Sequence, residues 1–224
     1  MATAPVPVRT NSLIRGKYLI FAFVVLMMAY VIPHNESFII HPNDPIWHHY
    51  HPFRWWLLPH GLAGCCALLL GPMQFSDRLR RRYAKLHRVV GRVYVAGAFI
   101  VAPLGAYIQY FEERMGAPRS FSIAGLVDAL LLMITTGIAF AFILNGKVEQ
   151  HRQWMTRSFA VALVFLEGRV IGGITGWENL GIAANETIVW SCLAFSVLSA
   201  DIVLQIQALQ RSRKTLPVAR SVSA

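Results

Sequence analysis

Three histidines and one arginine, all within or at the ends of apolar stretches, are the residues of this chain best placed to do chemistry. At helical spacing His87 shares a face with Gly91, Tyr94 and Ala98, and His151 shares one with Met155, Ser158 and Ala162. Both sit near the same end of their apolar stretches, so they are able to meet across a bundle. Two imidazoles so placed can ligate a haem iron axially, a ligation whose potential the surrounding protein tunes. They can equally be interfacial residues whose neighbours Arg88 and Arg152 hold lipid phosphates. His60 lies above a stripe of Gly64, Ala67 and Gly71. Such a stripe leaves a groove for a planar macrocycle, or else lets two helices pack closely with the imidazole bonding across them. His60, His87 and His151 are therefore the candidate ligands of a haem b.

Arg169 is the most expensive residue to place. A lone arginine at the centre of an apolar span costs roughly 2.5–3.5 kcal/mol on insertion scales, so a counter-ion is expected. Glu167, two residues away, points about 200° round the helix from it. Asp128, at similar depth on another span, is the expected partner. Glu167 and Asp201 need partners or protons of their own. Asp128, Glu167 and Arg169 thus form a second candidate set: a structural ion pair that fixes helix register, or a place for an anionic solute, a haem propionate or a proton path. The histidines His34, His41, His48, His49 and His51, with Glu36 and Asp44, form a loop that is read either as a metal site or as an interfacial anchor. Their spacing matches no structural zinc pattern, and no metal ligand is assigned. The sequence also holds no phosphate-binding glycine loop, no nucleophile elbow and no HExxH.

The elements that position these residues are apolar spans. The chain has 224 residues, of which 55% are hydrophobic and 14% charged, with a mean hydropathy of +0.48; soluble domains carry about 25% charged residues. Spans are expected at about 18–32, 55–75, 89–110, 121–144, 155–176 and 187–209; the first is short for a span of about 20 residues, but Lys17 and Tyr18 can snorkel and anchor it, and all are uniformly apolar, which indicates helices rather than a barrel. The first could instead be a signal peptide, but no small-x-small cleavage site follows it, so a retained anchor is favoured. Trp47, Tyr50, Trp55 and Trp56 read as an interfacial aromatic belt.

A net charge of +10 would suit nucleic acid, but its cations are gathered into short clusters between apolar runs. The N-terminal segment through Lys17, the turn from Asp77 to Arg92, the segment 145–158 and the C-terminal tail hold 3, 7, 3 and 4 of the 21 Lys and Arg residues, against three in the opposite loops. This bias places the basic side and both termini in the cytoplasm. The expected architecture is an all-α, six-transmembrane-helix bundle of an inner membrane: a cytoplasmic tail over 1–16, one membrane domain over 17–209 and a cytoplasmic tail over 210–224. Its partners are then the lipid bilayer and anionic lipids at the basic turns, not nucleic acid. Cys65, Cys66 and Cys192 lie in apolar spans as small packing residues.

Both basic segments place a His-Arg pair at the start of a span, His87-Arg88 and His151-Arg152. Together with His60-Gly61-x-x-Gly64, Gly71-Pro72-x-Gln74, Leu86-His87-Arg88-x-x-Gly91-Arg92-x-Tyr94, His151-Arg152-x-Trp154-Met155-x-Arg157-Ser158 and Arg169, they make the chain resemble a bacterial family of predicted integral-membrane proteins of unknown function. That resemblance implies a helical inner-membrane protein and carries no catalytic residues. In style His60-Gly61 and His87-Arg88-x-x-Gly91 are similar to cytochrome b561-type electron carriers, whose histidines on successive helices bind two haems. Only three histidines are well placed here, which leaves one inner haem as the version implied. Three classes of function follow: a haem b electron carrier, a proton-coupled or anionic-solute transporter using Asp128, Glu167 and Arg169, and a non-catalytic assembly or lipid-interaction protein.

Overall fold

The computed structural model describes residues 11–39, 41 and 43–215. They form α1 (Asn11–Asn35), α2 (Pro45–Tyr50), α3 (Arg54–Gln74), α4 (Asp77–Arg82), α5 (Ala84–Arg114), α6 (Arg119–Leu144), α7 (Val148–Ala162), α8 (Val164–Thr175) and α9 (Ile182–Thr215), with no strand among the described residues. Six helical segments are long and apolar enough to cross a membrane: Tyr18–Asn35, Pro45–Gln74, Ala84–Arg114, Arg119–Leu144, Val148–Thr175 and Ile182–Ser212. Large apolar side chains such as Leu62, Ile134, Phe195 and Leu198 point outward, as they do where the solvent is hydrocarbon.

Small residues set how closely the helices approach. A Cβ on Gly97 of α5 would lie 3.2 Å from the carbonyl oxygen of Ala63 on α3, so α3 and α5 pack nearly backbone to backbone. Ala124, Gly125, Ala129 and Ala139 form the buried face of α6, which packs between α5 and α7. α1 belongs to this bundle: Val24, Met27, Met28 and Val31 are buried in one core with Ala67, Tyr94, Phe159 and Leu166. α1 begins at Asn11, inside the stretch expected to be a tail, and α9 runs to Thr215; the tail segments 1–10 and 216–224 lie outside the described residues.

Both basic segments are more helical than their composition suggested. Ser76 caps α4, its hydroxyl accepting from the Leu79 amide at 3.3 Å. α5 starts at Ala84, so His87 sits in its first turn. Only Asn145–Lys147 separate α6 from α7, turning on Gly146 at φ 70°, and His151 likewise lies in the first turn of α7. The fifth span is interrupted at Leu163, whose amide bonds back only three residues to Ala160, before the helix resumes with Glu167 bonding Leu163 at 2.8 Å. No proline or glycine sits at this break; Val161 and Val164 on either side are fully packed. At the opposite end, Phe38, Tyr50, Phe53 and Phe111 stack into a cluster that folds the histidine-rich loop onto the bundle.

Candidate functional site

The motif residues converge. Gln74 at the end of α3, His87, Arg88, Gly91 and Arg92 on α5, and His151, Arg152 and Met155 on α7 all line one cavity of about 470 Å³ at the basic end of the bundle. Phe75, Val95, Phe140 and Leu204 give it apolar walls, and the inner half of α9 closes one side. Two ion pairs stitch that helix to α7: Arg157 bonds Asp201 at 2.8 Å, and Arg211 bonds Glu149. Asp201, which the sequence left without a partner, thus has one.

The two histidines differ in how their Nδ1 atoms are bonded. His151 Nδ1 lies 2.8 Å from the Ala139 carbonyl of α6 and donates to it, which leaves Nε2 as the lone-pair nitrogen of the neutral ring. A ring held in this way on a backbone carbonyl has the orientation and tautomer of a metal-ligating histidine. His87 Nδ1 is buried without a hydrogen-bond partner, as is Nε2 of Gln74. Beneath the cavity, the Tyr94 hydroxyl meets Ser158 Oγ at 2.8 Å and Ser158 meets Thr136 Oγ1 at 2.7 Å, a buried chain that ties α5, α6 and α7 together. Gly71 lets Phe159 close over this floor: a Cβ there would fall 2.3 Å from the Phe159 ring.

His60 is not part of this cluster. It sits near the other end of α3, with Nδ1 on the Val101 carbonyl at 2.9 Å and its ring against Gly105. The stripe of small residues below it is filled by α5 and α7, Gly64 against Val101 of α5 and Gly71 against Tyr94 of α5 and Phe159 of α7. His60 therefore bonds across a close helix pair rather than above an open groove.

Arg169 pairs with Glu36, not with Asp128. The reason is geometric. Arg169 on α8 faces the end of α1, where His34 also bonds Glu178 at 2.8 Å and the Tyr30 hydroxyl packs against Gly173. Asp128 is buried on α6, and its Oδ1 has no partner. Glu167 accepts from Ser196 Oγ at 3.3 Å and borders a second, mainly apolar groove of about 520 Å³ between α1, α8 and α9. The loop histidines do not gather: His49 bonds Glu112 at 3.0 Å and His51 bonds Arg54 at 3.1 Å. Among the described residues no group of three or more His, Cys, Asp or Glu is arranged to hold a metal ion. Sequence reasoning missed Glu36 as a counter-ion and Thr136 in the buried chain; Glu36, an acid directly after the first span, carried a readable signal, while Thr136 carried none.

A helical membrane protein with six apolar spans and a cavity at one end is thus the class that fold and site define. The family described as Predicted membrane protein (DUF2306) matches residues 57–204, and the chain belongs to it. No curated protein and no solved structure matches the chain. The matched region holds every motif residue of the cavity; α1 and Glu36 lie outside it.

Proposed function

We propose that this chain is an inner-membrane haem b protein that carries electrons, whose iron His87 and His151 would hold. The observation that carries the reading is the meeting of these two imidazoles in one cavity, with His151 held on the Ala139 carbonyl and His87 Nδ1 unpaired. The surroundings fit the group: apolar walls from Phe75, Val95 and Met155 suit a macrocycle, and cationic side chains at the mouth suit its acidic edge. A bound haem supplies one-electron exchange between ferric and ferrous iron. The chain's own residues bind and orient it, and the walls exclude water.

The basic end is assigned to the cytoplasm by the distribution of Lys and Arg, and Arg78, Arg81 and Arg82 then face anionic lipid headgroups. The test is an absorbance spectrum of the protein purified after growth with added haem precursor. A Soret band that is lost in His87→Ala and in His151→Ala, but kept in His60→Ala, is the expected result. Folded protein without such a band refutes the reading.

The interruption of the fifth span at Leu163 favours a second reading. Transporters build solute sites at breaks in their helices, and Glu167 lies one turn beyond this break. A proton-coupled or anionic-solute carrier would then use Glu167, Asp128 and Arg169. Uptake into proteoliposomes that is lost in Glu167→Gln while His87→Ala stays active would decide for it.

A further inference from the structure

The cavity mouth carries cations of two kinds. Arg80 is neutralised by Asp77 at 2.7 Å, and Arg152 and Arg211 share Glu149. Arg88 and Arg92, one turn apart on α5, have no anionic partner among the described residues, although both line the cavity. Residues four apart on a helix hold their Cβ atoms about 5–6 Å from one another, a spacing that suits two separate anionic groups. Between them in sequence is Gly91, and the Gln74 amide lies directly over it: a Cβ at Gly91 would stand 3.1 Å from Gln74 Oε1. The amide's Nε2 is buried and unpaired. One wall of the cavity therefore carries two guanidinium groups beside a buried amide N–H with no acceptor on the protein side. A buried donor without an acceptor is destabilising, and a ligand oxygen at this wall would satisfy it.

We infer that Gln74, Arg88 and Arg92 form a seat for the two carboxylates of the cavity's ligand, which makes the site selective for a dicarboxylic porphyrin. This rests on the haem reading above. It adds a side of the cavity: the two carboxylates would lie against the α5 wall that carries Arg88 and Arg92, next to His87. Arg88 and Arg92 are binding residues here, and the Gln74 amide rests on Gly91 between them. Phosphate of an anionic lipid offers the same oxygen chemistry, and the experiment separates the two sources.

The experiment titrates the purified full-length protein, freed of pigment and held in phosphatidylcholine nanodiscs, with iron protoporphyrin IX and with its dimethyl ester, following the Soret band. The wild type is expected to bind the diacid at least about tenfold tighter than the ester, a difference of roughly 1.4 kcal/mol. In Arg88→Gln/Arg92→Gln that preference disappears while the bis-histidine band position is unchanged, and Arg88→Lys/Arg92→Lys restores it in part. Equal affinity of the wild type for diacid and ester, with both lost in His87→Ala, overturns the seat and leaves the haem reading standing. Binding of neither porphyrin overturns both. A diacid preference that vanishes when phosphatidylglycerol replaces phosphatidylcholine assigns the arginines to lipid phosphate and overturns the inference as well.

Discussion

Removing the carboxylate of Glu36 is the sharpest test of how the end of the bundle opposite the basic segments is held. In Glu36→Gln the Arg169 guanidinium keeps a hydrogen-bonding neighbour and loses its counter-charge. Exposed ion pairs contribute about 0–1 kcal/mol, whereas breaking a buried pair from one side costs about 3–5 kcal/mol. The side chains of Arg169 and Glu36 are 40% and 24% exposed, which puts this pair between the limits, at about 2 kcal/mol. For a chain of this size about 2 kcal/mol corresponds to a fall of about 4–8 °C in Tm. The assay is a tryptophan-fluorescence melt in detergent for Glu36→Gln, Arg169→Gln and the double variant, and the double is expected to be hardly worse than either single. Strict additivity, with a coupling below about 0.5 kcal/mol, would show that the two groups do not interact. Recovery of Arg169→Gln by Asp128→Asn instead would hand the pairing back to Asp128.

Tyr94→Phe deletes one hydroxyl from the buried chain with Ser158 and Thr136 and is expected to cost about 1 kcal/mol; Ser158→Ala removes both bonds of the chain and is expected to cost more, with no further loss when Tyr94→Phe is added to it, as read from the same melts. Gly97→Leu drives a side chain into the Ala63 backbone and is expected to abolish the folded protein, whereas Gly61→Ala, whose Cβ meets open space, leaves the melt within about 0.5 kcal/mol. On a background with Cys65, Cys66 and Cys192 replaced by alanine, Asn179→Cys should react with a membrane-impermeant maleimide in intact cells, and Arg81→Cys only after the membrane is opened. The reverse pattern refutes a cytoplasmic basic end.

The six spans were readable because hydropathy over some twenty residues is a strong and local signal, and because charged residues are nearly absent from it. The meeting of His87 and His151 was readable too: each follows a basic segment and enters a span at the same depth, so two separate local patterns agreed. Partner identity was less accessible. Depth alone suggested Asp128 for Arg169, but a depth match does not say which helices are neighbours, and Glu36 lies 133 residues away beyond the end of a span. The break at Leu163 has no sequence marker, since neither glycine nor proline stands there; only the packing of Val161 and Val164 accompanies it. The role of Gln74 was half visible, as part of a Gly-Pro-x-Gln run, yet its position over Gly91 depends on how closely α3 and α5 approach.

The pairing of α1 with α8 also sets an order of events during synthesis. A ribosome adding about 5–20 residues per second delivers Arg169 roughly 7–27 s after Glu36. Through that interval α1 is followed by an acid without its mate and is held by side-chain packing alone, on α3 among others. This helix is consequently fastened late, once the span that carries Arg169 has arrived, and a nascent chain stopped after α6 would leave that acid unpaired.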